Sequence, residues 1–146
     1  YRKYKMSIVL CGSIADKSYS KEFIKNLEIP YIDLINKTTL NELTEIIRGS
    51  KLLIGNDTSA IHIAAKVDTA SFCILGGGHY GRFLPYPHNI TGTKPITINK
   101  KLECYGCNWR CTKLINNPHY YCIDIIEIQD VIDKIESSDI LIGYEL

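Results

Sequence analysis

This sequence has almost no excess of charge of either sign: 17 Lys and Arg stand against 16 Asp and Glu, a net charge of +1. Without a broad basic field, electrostatic capture of nucleic acid or of an anionic membrane is excluded as the default function. Long apolar runs are also lacking. Stretches such as Lys51-Leu-Leu-Ile-Gly55 extend for a handful of residues, far short of the ~20 that a transmembrane helix requires. No charged segment followed by an apolar stretch and a small-residue cleavage site opens the chain, so no secretory signal is visible. Residue 1 is Tyr rather than Met, which places the expected start upstream. Internal repeats and low-complexity linkers are missing too. What is there is a chain of 146 residues, 45% of them hydrophobic, the composition of one globular domain.

Met6-Ser-Ile-Val-Leu-Cys11, closed by Gly12, reads as a buried strand. Ser20 is placed to cap the helix that follows, with Phe23, Ile24 and Leu27 at helical spacing and Pro30 at the next boundary. Tyr31-Ile-Asp-Leu-Ile35 is a second strand. Thr39-Leu-Asn-Glu42 is a capping box, in which Thr and Glu satisfy each other's free amides. Leu40, Leu43, Ile46 and Ile47 make the apolar stripe of that helix, and Gly49 ends it. Lys51–Gly55 and Ala70–Leu75 are further strands, separated by a helix from Thr58 to Lys66. Ile96-Thr-Ile98 is another strand, and Ile128, Val131, Ile132 and Ile135 mark a last helix. Strands with continuous apolar runs, alternating with helices, predict a Rossmann-like α/β fold whose parallel sheet has helices on both faces. We expect a single domain over 1–146, with a Cys-rich loop at 103–122.

In such a sheet, ligands bind beyond the carboxyl ends of the strands, where loops lead into helix N-termini. Gly55-Asn-Asp-Thr-Ser-Ala-Ile-His62 falls at such a place. Gly55 allows the turn after the strand, Asp57 is placed to cap, and the amides of Thr58, Ser59 and Ala60 lie at the positive end of the helix. This outlines a phosphate site. His62, four residues after Thr58, shares its helix face. The same pattern also describes plain helix capping beside a surface His.

The stretch Asp57-Thr-Ser-Ala-Ile-His-Ile-Ala-Ala65 resembles the signature of family 9 glycosyltransferases, the heptosyltransferase-like enzymes of lipopolysaccharide assembly. That signature usually reads Asp-[Ser/Thr]-Gly-x-x-His-x-Ala-Ala. Thr39-Leu-Asn-Glu-Leu43, Phe72-Cys-Ile-Leu-Gly76 and Arg82-Phe-Leu-Pro-Tyr86 resemble the family's flanking helix, strand and Arg/Pro loop, and the ordered likeness runs from Ile8 to Ile135. The resemblance implies the C-terminal, donor-binding half of a two-domain GT-B enzyme, with Asp57, Thr58, Ser59 and His62 contacting a nucleotide-sugar donor of ADP-heptose type. It also places Asp16 near the donor ribose. By the same likeness, the acceptor, a glycan or glycolipid, and the acidic general base belong to an N-terminal domain that this chain lacks. No cofactor is implied for catalysis. The implied location is the cytoplasm, with peripheral attachment at the inner membrane as an extension of it.

Three departures from the family pattern stand out. Ser59 occupies the usual Gly position, Gly76-Gly-Gly-His-Tyr-Gly-Arg82 replaces the commoner Gly-Pro-Thr type of loop, and the first strand of the family's domain is not visible. The glycine loop fits neither the dinucleotide fingerprint nor the P-loop. It reads as a mobile loop at the cleft, where His79 and Arg82 are within reach of a donor diphosphate, or as a solvated turn.

Of six cysteines, four cluster: Cys104-Tyr-Gly-Cys107-Asn-Trp-Arg-Cys111, with Cys122 eleven positions on. That is the number of thiolates a structural zinc requires, with one Cys-x2-Cys knuckle and His119 as a substitute ligand. The spacing is unlike the ferredoxin run. Reduced packing and oxidation to disulfides remain alternatives. The surrounding aromatics Tyr105, Trp109, Tyr120 and Tyr121 suit a small satellite core. Cys11 and Cys73 read as buried small hydrophobes, and the whole set suits a reducing compartment. The alternative to an enzyme half is a non-catalytic Rossmann-like binding module organised by a four-cysteine zinc site.

Overall fold

In the computed structural model, which describes residues 3, 4, 6–113 and 120–144, strand and helix alternate as the apolar runs predict. The order is β1 (Ile8–Leu10), α1 (Lys17–Lys25), β2 (Tyr31–Asp33), α2 (Leu40–Gly49), β3 (Leu52–Asn56), α3 (Ser59–Lys66), β4 (Ala70–Ile74), β5 (Ile96–Ile98), α4 (Tyr121–Asp124) and α5 (Ile128–Glu136). The strand pairings are parallel, as crossover connections require. The strands fall into two sheets, β1-β2 and β3-β4-β5, where the apolar pattern alone predicts one. The backbone also divides into two compact units, one made of the residues up to Glu45 with those from Leu141 on, the other running from Ile46 to Ile140.

In the first unit, α1 starts earlier than the Ser20 cap predicts. A 3-10 turn at Ile14–Asp16 leads directly into Lys17. The Asp16 carboxylate takes hydrogen bonds from the Ser13 amide and hydroxyl, both at 2.7 Å, a capping box upstream of the expected Ser20 cap. Ser20 sits inside the helix, with its hydroxyl on the Lys17 carbonyl at 3.1 Å. Phe23 is exposed rather than turned inward. Cys11 is exposed too, contrary to its reading as a buried residue. The Thr39 box forms as read: the Thr39 amide donates to Glu42 Oε2 at 2.7 Å and the Glu42 amide to Thr39 Oγ1 at 3.3 Å.

The second unit holds the larger core. Residues 71–73 of β4 are buried in succession, the signature of a strand covered on both faces. Phe72, Cys73, Leu75, Ile61, Ala64 and Leu84 have essentially no exposed surface. Ile61, Cys73, Leu75 and Leu84 pack as one cluster, with Tyr80 and Tyr86 against it. The Thr69 hydroxyl ties the start of β4 to the Ile47 carbonyl of α2 at 2.8 Å.

Candidate functional site

The loop from β3 into α3 gathers the first group of predicted residues. The strand continues through Gly55 to Asn56, and a Cβ on Gly55 would meet only ordinary contact from Ile61; the turn therefore follows the glycine rather than using it. Thr58, not Asp57, is the N-cap. Its backbone is extended, and its side chain makes no hydrogen bond to the helix amides. The positive end of α3 is thus left to another acceptor. Thr58 and Ser59 are exposed at this end.

Asp57 and His62 come together across the first turn, with the Asp57 Oδ1 atom 3.8 Å from His62 Nε2. Both are partly covered, their side chains 18% and 35% exposed respectively. On the other edge of the ring, His62 Nδ1 lies 2.7 Å from the Tyr86 hydroxyl, and the two rings stack at 5.7 Å. Burial, and secondarily the Asp57 charge, push the Tyr86 hydroxyl above its ordinary pKa, so the phenol keeps its proton and can donate it to Nδ1. On the opposite edge Nε2 faces the Asp57 carboxylate, so the imidazole sits between Asp57 and Tyr86 with a polar neighbour at each ring nitrogen. Behind it, burial and the Asp57 charge raise the Cys73 thiol to about 12, which leaves it an inert part of the core.

Tyr86 had no assigned role in the sequence, although it ends the Arg82-Phe-Leu-Pro-Tyr86 segment. The signal that could have singled it out is its place one residue after a proline beside a His-bearing helix, which is visible only once Leu84 is known to be buried against Ile61. Arg82 does not join the group. It is exposed, and its guanidinium lies over the Phe83 ring at 5.0 Å. Asp16 belongs to the first unit, with its carboxylate engaged by Ser13.

The glycine loop is not the open turn that its composition predicts. Gly76, Gly77 and Gly78 are buried under side chains from the Cys-rich segment and α4. A Cβ on Gly77 would run into Tyr105, one on Gly78 into Trp109, and one on Gly76 would lie 2.8 Å from Trp109. The amides of Gly106 and Asn108 donate to the Gly77 and Gly78 carbonyls at 2.8 and 2.9 Å. His79 is held as well: its Nε2 lies 2.8 Å from Asn108 Oδ1, and its Nδ1 accepts from the Trp109 indole N–H at 3.4 Å. These glycines serve close packing rather than a phosphate cradle.

Cys104, Cys107, Cys111 and Cys122 line one small cavity. Among the described residues, no three His, Cys, Asp or Glu side chains stand close enough to grip an ion as they are; His119 lies outside the described residues. Neither this cavity nor a second one of about 170 Å³ beside Lys17, Asp33 and Lys37 includes Asp57 or His62. Each side chain of the Asp57–His62–Tyr86 group is partly covered and partly exposed. Among the described residues, no helix is long and apolar enough to cross a membrane.

A parallel α/β fold with a half-buried polar group where a strand leads into a helix N-terminus belongs to the Rossmann-like class. The model of glycosyltransferase family 9 (heptosyltransferase) matches residues 2–110, and the chain belongs to that family. Among solved structures, it is similar to the E. coli ADP-heptose lps heptosyltransferase II, with a TM-score of 0.67 and 19% identity over 92% of this chain and 36% of that one. It is likewise similar to the glycosyl transferase family 9 protein from Veillonella parvula DSM 2008, with a TM-score of 0.65 and 20% identity over 91% of this chain and 36% of that one. The chain thus spans about a third of the length of these structures. No curated protein sequence matches it.

Proposed function

We propose that this chain is the donor-binding, C-terminal half of an inverting glycosyltransferase of lipopolysaccharide or cell-surface glycan synthesis, with a nucleotide sugar of ADP-heptose type as donor. The observation that carries this reading is the Asp57–His62–Tyr86 chain beside the uncapped N-terminus of α3. Family membership supports the reaction class, and the partial exposure of Asp57 and His62 leaves them within reach of a ligand. The donor diphosphate would lie against the amides of the first turn of α3, with Thr58 and Ser59 beside it and His62 one turn in.

In the reaction, an acceptor hydroxyl oxygen attacks the anomeric carbon of the sugar and the bond to the diphosphate oxygen breaks. The hydroxyl proton goes to an acidic base expected outside this chain. The negative charge that grows on the leaving nucleoside diphosphate falls at the positive end of α3, where fixed donors stabilise it without rearranging. No cofactor enters this scheme. The acceptor is a glycan or glycolipid, which places the work in the cytoplasm, at the inner face of the membrane that supplies it.

Calorimetric titration with ADP, UDP and GDP tests the reading, using this chain and its Thr58→Ala and His62→Ala variants. Preferential ADP binding, weakened in both variants, is expected. Binding that is indifferent to both substitutions would remove α3 from the donor site and overturn the assignment.

A further inference from the structure

Two sequence-distant parts of the second unit meet around a single void. Cys104, Cys107 and Cys111 come from the segment after β5 and Cys122 from α4, and all four residues line the same cavity of about 10 Å³. A space of that size holds one water-sized sphere, which is also the scale of a single metal ion. No carboxylate lines it, and Lys113 is its one charged neighbour. All four cysteines are free.

The backbone beside the void is tightly turned. Gly106 has a φ of 85°, and Asn108 and Trp109 have φ of 51° and 62°. Two consecutive non-glycine residues in the left-handed region, one of them a Trp, are unfavourable and persist only where the surroundings impose them. This turn directly follows the Cys104-x2-Cys107 knuckle. The Gly77 amide, meanwhile, donates to the Cys122 sulfur at 3.3 Å, an N–H···S bond of the kind that orients a ligating thiolate from outside the coordination shell.

We propose that Cys104, Cys107, Cys111 and Cys122 are the four ligands of a structural zinc ion, and that this ion clamps the Cys-rich segment onto the Gly76–Gly78 loop. Zinc is the fit because soft thiolates in a tetrahedral set of four select it. On binding, each thiol gives up its proton, so the site carries two thiolate charges in excess of the ion, and Lys113 lies beside them. The sulfurs close in from the walls of the void to bonding distance, since no three of them are that close beforehand. The clamp reaches function through the loop. Tyr105 and Trp109 cover Gly77 and Gly78, and Asn108 and Trp109 hold His79, so the ion fixes the segment that follows β4. This proposal does not depend on the donor-binding reading.

The test uses the purified chain and two independent readouts. Metal analysis after purification without chelator is expected to find about one zinc per chain. Replacement by Co²⁺ is expected to give sulfur-to-cobalt charge-transfer absorption with the intense visible bands of a tetrahedral site. The chain's one tryptophan, Trp109, lines the void, so removing zinc with a chelator should shift its fluorescence and restoring zinc should reverse the shift. Cys107→Ser and Cys122→Ser should lose most of the metal, whereas Cys11→Ser, at an exposed cysteine that does not line the void, should retain it. If the two loss variants fail to fold, the Co²⁺ spectrum of the unaltered chain still decides. A folded chain that binds neither zinc nor cobalt would overturn the proposal. So would weak, octahedral-type cobalt bands, a bound iron-sulfur chromophore, or disulfides joining these cysteines in freshly reduced protein.

Discussion

The indole of Trp109 lies over Gly78 so tightly that a Cβ at that position would stand closer to the ring than real Cβ atoms come. The Gly78→Ala substitution therefore forces the ring or the loop to move, and overpacking of this kind typically costs about 1–3 kcal/mol. Gly49→Ala is the matched control, because nothing lies within 4 Å of the added carbon and the position closes a helix. It should be neutral or stabilising by up to ~1 kcal/mol. Urea denaturation of both variants checks the pair. Equal midpoints for Gly78→Ala and the parent chain would mean that the ring does not pack there.

The hydrogen bond between Tyr86 and His62 leads to a second expectation. Tyr86→Phe keeps the ring stack but removes the hydroxyl at Nδ1, so the imidazole loses its partner on that edge. ADP affinity should fall about three- to tenfold, the equivalent of one ordinary hydrogen bond at ~0.5–1.5 kcal/mol. Thermal stability should change little, because the phenol is only partly buried. The titration proposed above reads the first effect and a melting curve the second. An unchanged affinity would show that His62 is held by Asp57 and its helix alone.

These two cases also mark what sequence reasoning reaches. The Thr39 box is set by contacts within a few residues, so local pattern sufficed for it. Helical spacing pairs Thr58 with His62, whereas the neighbour the structure gives His62 is Asp57, which lies before the helix. Tyr86 lies beyond local pattern, because it arrives through the packing of Leu84 on Ile61, 23 residues away in sequence. The three glycines misled for a related reason. Their composition is that of an open loop, and only rings supplied by Tyr105 and Trp109 turn them into packing residues. At α1 the Ser20 cap gives way to a box of Ser13 and Asp16 upstream of the helix, which places Ser20 inside it.

Acid should weaken the first unit before neutral pH does. The carboxyl pKa of Asp16 is lowered by hydrogen bonds from the Ser13 hydroxyl and amide, that of Asp33 chiefly by Lys37, and that of Glu42 by the Thr39 amide and hydroxyl. A carboxylate whose pKa is depressed by folding contributes stability above its unfolded value, and loses it as pH falls through the folded value. Melting temperature should therefore be level from pH 7 to about 5 and decline below about 4. All three groups are exposed, so the slope should be shallow and reduced by salt. Thr39→Ala should lower the plateau by ~1 kcal/mol through loss of the cap and flatten the decline. A melting temperature constant from pH 7 to 3 would remove these carboxylates from the stability of the fold.

Two buried hydroxyls, two residues apart, give opposite expectations. Thr69 is 4% exposed and Ser71 1% exposed. The Thr69 hydroxyl donates to the Ile47 carbonyl at 2.8 Å, whereas the Ser71 hydroxyl has no partner among the described residues. A buried polar group without a partner has lost its water and gained nothing in return. Ser71→Ala removes that penalty and leaves room for one hydroxyl oxygen, so it should be neutral or stabilising by up to ~1 kcal/mol. Thr69→Ala removes one of two hydrogen bonds on the Ile47 carbonyl, the Ser50 amide still reaching it at 3.0 Å, and should cost about 0.5–1.5 kcal/mol. Measured side by side by denaturant unfolding, the two changes should differ in sign. If Ser71→Ala proved as damaging as Thr69→Ala, the Ser71 hydroxyl would have to be bonded after all, with an ordered water in the core beside β4 as its partner.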